Sequence, residues 1–143
     1  MLYATAKCRA RDWYKQAEND FLRAKDSLKA GRFAQVCFIC QQIADKAVKA
    51  LAFHREFDQV RGHSVTELVK ALDIDGELLK AAKRLDQYYI STCYPDAFPT
   101  GAPFEFFTEE QAREAVNFAE LFFERRKIGV RLMKDGCLKK TNL

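Results

Sequence analysis

Along the first thirty positions, apolar residues recur at helical intervals. Trp13, Ala17, Phe21, Ala24 and Leu28 lie three or four apart, a spacing that lines one face of a helix over residues 9–30. Gly31 ends it, because glycine enters the left-handed conformation of a helix C-terminus without steric penalty. From Phe33 to about His54 the apolar set is denser: Phe33, Val36, Cys37, Cys40, Ile43, Ala44, Ala47, Val48 and Leu51. So wide a stripe predicts the central helix, packed on more than one side. Its polar positions Gln42, Lys46 and Lys49 follow i, i+4, i+7 and share one face. Periodicity is lost over 55–62, which reads as a loop. Ser64-Val-Thr-Glu67 then has the form of a capping box, opening a short helix through Leu72. Asp75 is placed to cap a further helix whose inward positions are Leu78, Leu79, Ala82, Leu85, Tyr88 and Tyr89.

The prolines at 95, 99 and 103, with Gly101 among them, exclude regular helix from Tyr94 to Phe107. A loop of this length, carrying five aromatic residues, is expected to pack down or to have a function. Thr108-Glu-Glu-Gln111 is a second capping box. It starts a helix with Ala112, Ala115, Val116, Ala119, Phe122 and Phe123 inside, expected to run into the 130s ahead of a basic tail at 133–143. No strand pattern or repeat is present. The expected fold is all-α: an antiparallel up-and-down four-helix bundle with one extra short helix and a Pro-rich loop.

Composition agrees with that picture. The 143 residues suit a single domain, with a core at about 12–130. With 48% hydrophobic and 31% charged residues, a disordered chain is excluded. No apolar run reaches the roughly 18 residues of a membrane span. The start, Met1 to Asp12, turns basic where a signal peptide would stay apolar. Five cysteines without paired spacing do not form a secreted disulfide scaffold. The expected location is therefore the cytoplasm.

The net charge of +4 is unevenly spread. Residues 7–32 carry eight cations against four anions, 73–123 carry four against ten, and 124–143 carry seven against two. Side by side in a bundle, the two basic ends would form a positive face toward phosphate. The simpler reading is a set of solvated helix faces.

Candidate chemistry is sparse. Cys37-Phe-Ile-Cys40 has metal or redox spacing, but both thiols fall on the buried stripe, and neither a second CxxC nor paired histidines complete a site. Core packing is the expectation for them. Asp, Glu and His do not cluster at ligand spacing, and the isolated glycines write neither a P-loop nor a dinucleotide fingerprint. Neither a metal nor a cofactor is expected. His63, just before the Ser64 cap, reads either as a local structural group or as a ligand-binding or catalytic one.

In this order, several segments resemble the HEPN family (higher eukaryotes and prokaryotes nucleotide-binding). They are Asp12-Trp13, Ala17, Asp20 and Ala24; Phe33 through Ala50, read as Phe-Ala-Gln-Val-Cys-Phe-Ile-Cys-Gln-Gln-Ile-Ala-Asp-Lys-Ala-Val-Lys-Ala; Gly62-His63-Ser64 with Leu68 and Leu72; and Tyr94-Pro95-Asp96. The resemblance implies a helical bundle that forms a homodimer, with a groove for nucleotide or RNA. It also implies work beside a small nucleotidyltransferase, sometimes as a toxin–antitoxin pair. Many members are metal-independent ribonucleases using an Arg followed after four to six residues by His. Here His54 has no such Arg, and His63 has Arg55 seven residues away and Arg61 one away by intervening count. Asp45 replaces the usual Glu, and Cys93 stands where an Arg often precedes Tyr-Pro-Asp.

The expectation is a binding module without a catalytic motif, holding a nucleotide or another phosphate-bearing partner through Lys46 and Lys49, helped by Gln42, His63, Tyr94 and Asp96. The alternative is a ribonuclease in which His63 is the general base and Arg55 or Arg61 stabilises the phosphorane.

Overall fold

The computed structural model describes residues 6–55, 57 and 60–123. They form six α-helices: α1 (Ala6–Lys29), α2 (Phe33–His54), α3 (Val65–Ala71), α4 (Glu77–Asp86), α5 (Tyr88–Ser91) and α6 (Glu109–Leu121), with 3-10 turns at Pro95–Ala97 and Pro103–Phe106. No strand occurs among the described residues.

α2 is the centre. It packs against each of the other five helices and the second 3-10 turn. Val36, Cys37, Cys40, Ile43, Ala44, Ala47 and Val48 are fully buried along it, as its dense apolar pattern requires. α1 lies antiparallel to it, since Trp13 stacks on Phe53 while Asp20, further along α1, meets Lys46, further back on α2. Ala10, Ala17 and Ala24 face inward with no exposed area. Side chains this small at seven-residue spacing let two helix axes approach at the short end of the usual range.

Local signals set most of the boundaries. Gly31 takes φ +75°, with Gly31 N–H donating to the Leu28 carbonyl at 3.1 Å and Arg32 N–H to that of Ser27 at 3.0 Å. This is the Schellman closure that the glycine foretells. Thr108 and Gln111 form the full reciprocal box at the start of α6. At α3 only half of the expected box is made. The Ser64 hydroxyl accepts from Glu67 N–H at 3.2 Å, but the Glu67 carboxylate turns toward Lys70, 3.9 Å away.

Two boundaries correct the sequence reading. Gly76, not Asp75, is the N-cap of α4; its φ of 71° and ψ of −135° lie where only glycine is comfortable, and backbone freedom outweighs Asp75's capping carboxylate. The helix expected to continue through Tyr89 breaks at Gln87, which turns Tyr88 inward and leaves Tyr89 half-buried against α2. The proline loop packs down only in part, through buried Pro103 and half-buried Phe107, while Tyr94, Phe104 and Phe106 stay exposed. Phe107 meets Tyr88 edge-on at 5.9 Å, and Phe98 stacks on Phe106 at 4.4 Å. The continuation of the last helix into the 130s and the basic tail lie outside the described residues.

Candidate functional site

A buried polar network runs beside the central helix where α1, α2, the start of α3 and the end of α4 meet. Asp20 and Asp45 are each only 2% exposed. Burying a carboxylate is costly unless a cation or several donors compensate it, and both are compensated. Lys46 Nζ reaches Asp20 Oδ2, and Lys49 Nζ lies 2.9 Å from Asp45 Oδ2. Lys49 also sits over the Trp13 ring, 5.5 Å from its centroid, in the range of a cation–π contact.

The edge expected to be open to an anion is therefore largely closed. The Lys49 side chain is 7% exposed and that of Lys46 is 23% exposed, each committed to a carboxylate of the same chain. The spacing rule placed both lysines on one face correctly, but it cannot see Asp20, which comes from another helix. The Asp45 carboxylate also faces His63, whose Nδ1 is 3.6 Å from Oδ2. Asp45 Oδ1 is buried with no donor among the described residues.

His63 is held from several sides. Its carbonyl accepts from Gln41 Nε2 at 2.7 Å. Its ring stacks on Tyr89 with centroids 5.3 Å apart and 18° between planes, and Tyr89 stacks in turn on Phe38 at 6.1 Å and 30°. Tyr89 thus stacks with two rings, whereas the His63 side chain remains 54% exposed. His63, Ser64, Asp86, Gln87 and Tyr89 line a cleft of about 460 Å³, within the roughly 300–1,000 Å³ of small-molecule sites.

Asp86 fixes one wall of that cleft. Its carboxylate accepts from Val65 N–H at 3.0 Å, Thr66 N–H at 2.8 Å, the Ser64 hydroxyl at 3.2 Å and Gln41 Nε2 at 3.1 Å. A side chain of α4 thereby caps α3, placing negative charge at the positive end of a helix. Gln41, fully buried, joins this cap to the His63 backbone, and its Oε1 accepts from Gln42 Nε2 at 2.7 Å.

Of the six binding residues expected from sequence, Gln42, Lys49 and His63 are linked through Gln41 and Asp45, while Lys46 forms a separate pair with Asp20. Tyr94 and Asp96 stand exposed at the first 3-10 turn and have no hydrogen bond or ring contact with these residues. For the ribonuclease arrangement, the Arg55 guanidinium donates to the Leu72 carbonyl at 2.8 Å, beyond the C-terminal end of α3, whereas His63 precedes that helix. Seven residues of helix, about 10 Å, lie between these two ends. Arg61 is exposed. No hydrogen bond joins either arginine to the imidazole among the described residues.

Sequence reasoning missed Asp20, Gln41, Asp86, Phe38 and Tyr89 as site residues. One signal was available. Asp86 ends a helix whose last turn is otherwise basic, with Lys83 and Arg84, and an anion there opposes the helix dipole; such a residue serves another element.

Cys37 and Cys40 are free and buried, and burial pushes the Cys37 thiol up to about 12 and that of Cys40 higher still. They are core residues, as expected. No group of three or more metal-ligating side chains occurs among the described residues. Nor is any helix among them long and apolar enough to cross a membrane.

Residues 10–128 match the model of the HEPN domain family. Among solved structures, TT1696 from Thermus thermophilus is 41% identical, with 80% of this chain and 92% of that chain covered and a TM-score of 0.74. ST0689, described as an archaeal HEPN homologue, is 34% identical, with coverage of 87% and 95% and a TM-score of 0.70. No curated protein matches.

Proposed function

Since the chain belongs to the HEPN domain family, we propose that it is a nucleotide- or RNA-associated binding module whose recognition site is the His63 cleft. The observation that carries this reading is the stacked series Phe38–Tyr89–His63, with the imidazole half-exposed at the mouth of the cleft. A ring supported on one face and open on the other is a platform for a base, and each base stacked on such a ring contributes about 1–3 kcal/mol. Asp45 supports the platform from below. Its Oδ2 holds Lys49 and faces His63.

In this reading Lys49 belongs to the inner frame of the site, balancing the Asp45 carboxylate that faces His63; Lys46 balances Asp20 against α1, and Gln42 bonds to Gln41. Tyr94 and Asp96 belong to an outer rim. The module works as a homodimer beside a small nucleotidyltransferase, in keeping with the family.

Trp13 is the sole tryptophan and touches Lys49, so its fluorescence reports on the network. Calorimetric and fluorescence titrations with ATP, GTP and short RNA are expected to show binding that His63→Ala weakens by tenfold or more, about 1.4 kcal/mol. Absence of both heat and a Trp13 response at millimolar ligand refutes the reading. Incubation of labelled RNA with chelator is expected to give the same background for wild type and His63→Ala. Cleavage lost on that substitution would instead establish an enzyme.

A further inference from the structure

The proline loop carries a surface that takes no part in the His63 cleft. Phe104 is 74% exposed and Phe106 45%, although both are large apolar rings. Clustered exposed apolar groups mark interaction surfaces. The loop also holds its rings in a fixed arrangement. Phe98 stacks on Phe106 at 4.4 Å, and Phe106 lies so close over Gly101 that a Cβ there would meet the ring at 2.9 Å. Glu105 closes the turn between them, its Oε2 accepting from Ala102 N–H at 2.8 Å.

The charge around these rings has one sign. From 94 to 110 the chain has four carboxylates and no Lys, Arg or His. Glu109 is matched by Arg113 at 2.7 Å, whereas Asp96, Glu105 and Glu110 have no ion pair among the described residues. The acidic character continues along α6. Glu109, Glu110, Arg113, Glu114 and Asn117 line a cleft of about 500 Å³, and Glu120 stands exposed near the far end of the helix. Rings edged by carboxylates suit cationic side chains, which can lie on the ring face and pair with the carboxylate beside it.

We infer that this surface is the docking site of the chain's own cationic segment, residues 124–143. That segment lies outside the described residues, but its sequence has the matching chemistry: seven Lys and Arg against two acidic residues, with Ile128, Val130, Leu132 and Met133 among them. It begins directly after Phe123, at the end of α6 remote from the loop. The 13 residues of α6 make about 20 Å, a distance that about six residues of extended chain can span. Twenty residues therefore reach the rings with length to spare, and the carboxylates of α6 line the way. The tether also raises the local concentration of the segment to about the millimolar range, which a separate copy in dilute solution does not match. Such docking accounts for the segregation of charge, with four cations against ten anions over 73–123 beside seven against two over 124–143. Docking of this segment and binding in the His63 cleft stand or fall separately.

Cross-linking in the 143-residue chain tests it. Cys8→Ser/Cys93→Ser/Thr100→Cys keeps Cys137 in the segment and places the other reactive thiol on the loop beside Gly101, while Cys37 and Cys40 are buried. An equal mixture of isotope-labelled and unlabelled protein is treated with a short bismaleimide, and peptides linked between positions 100 and 137 are identified by mass spectrometry. The expected links join peptides of the same isotope type. Phe104→Ser/Glu110→Gln, at two exposed positions, should lower their yield about fivefold or more, the scale of one exposed cation–π contact with one surface ion pair. About 0.5 M salt should lower it as well. Far-UV circular dichroism checks that the fold is kept.

Links of mixed isotope type assign the surface to a second copy and overturn the inference. So does a yield that Phe104→Ser/Glu110→Gln leaves unchanged, or the absence of any such link while both thiols react singly with a monofunctional maleimide.

Discussion

Replacing Asp86 by Asn changes one atom of the four-donor cap and tests whether that cap ties α3 to the rest of the protein. The carboxylate accepts two hydrogen bonds on each oxygen: Val65 N–H and Gln41 Nε2 on Oδ1, Thr66 N–H and the Ser64 hydroxyl on Oδ2. An amide retains one acceptor oxygen and sets an NH₂ group against the other two donors. The Ser64 hydroxyl is exposed and can turn to water, so its loss is small. A backbone amide facing an NH₂ group is not relieved in this way. Hydrogen bonds to charged groups contribute about 1.5–3 kcal/mol each, and the charge at the start of α3 adds about 0.3–1 kcal/mol. Asp86→Asn should therefore cost about 2–4 kcal/mol, a fall in Tm on the order of 10 °C for a chain of this size. Urea unfolding followed by far-UV circular dichroism gives the free energy, with the m-value expected to stay constant. Native-state hydrogen exchange locates the effect: the amides of Val65 and Thr66 should lose protection more than those in the middle of α6. A variant within about 1 kcal/mol of wild type, or an even loss of protection over all helices, would refute the argument.

Two further predictions concern other buried groups. Lys49→Met leaves the Asp45 carboxylate uncompensated in the interior and should cost about 3–5 kcal/mol, whereas Asp45→Asn/Lys49→Met should regain much of that; strictly additive losses in urea unfolding would refute the pairing. The second is an alkaline loss of stability. Burial raises the Cys37 thiol from 9.0 to about 12, so above pH 9 the unfolded chain has already released a proton that the folded one still holds. The folded state is thus disfavoured as pH climbs from 9 toward 12, by about 1.4 kcal/mol per pH unit for each such thiol. Cys40 shifts in the same direction, so Cys37→Ala should flatten the alkaline limb of the stability curve without removing it. An unchanged slope would refute the assignment.

The helices were legible in the sequence because each stripe of apolar residues is a local property. So were the stops and starts at Gly31, Ser64 and Thr108, whose chemistry involves partners within five residues. Asp75 and Gly76 show where local rules compete: both favour a helix start, and the choice depends on a backbone conformation that the neighbouring α3–α4 turn imposes. That turn itself carries Asp73 at φ 56°, one of the few non-glycine types at home there. The site was only partly legible. Periodicity set Gln42, Lys46 and Lys49 on one face, but it assigned that face to solvent, because the carboxylate that meets Lys46 is 26 residues earlier in the chain. Gln41 was passed over because one step along a helix turns a side chain by about 100°, into the core. A buried glutamine makes sense only with its acceptors on His63 and Asp86, 22 and 45 residues away.

The position of this network bears on what it is for. Replacing a buried ion pair with well-packed apolar residues is often neutral or stabilising, so Asp45–Lys49 and Asp20–Lys46 are not needed to fill the space between α1 and α2. The alanines at 10, 17 and 24 already allow close packing there. The polar groups instead include several that join elements distant in sequence: α1 to α2 through Lys46, Asp45 to His63, and α2 to α3 and α4 through Gln41. Toward α6, around Cys37, Cys40 and Tyr88, the packing is by apolar groups and neutral thiols. A network that only stabilised the fold would have no reason to meet at His63. One that fixes a half-exposed imidazole and its stacked rings has to be where they are, since each hydrogen bond that sets the register of α3 and α4 against α2 also sets the position of His63 and Tyr89.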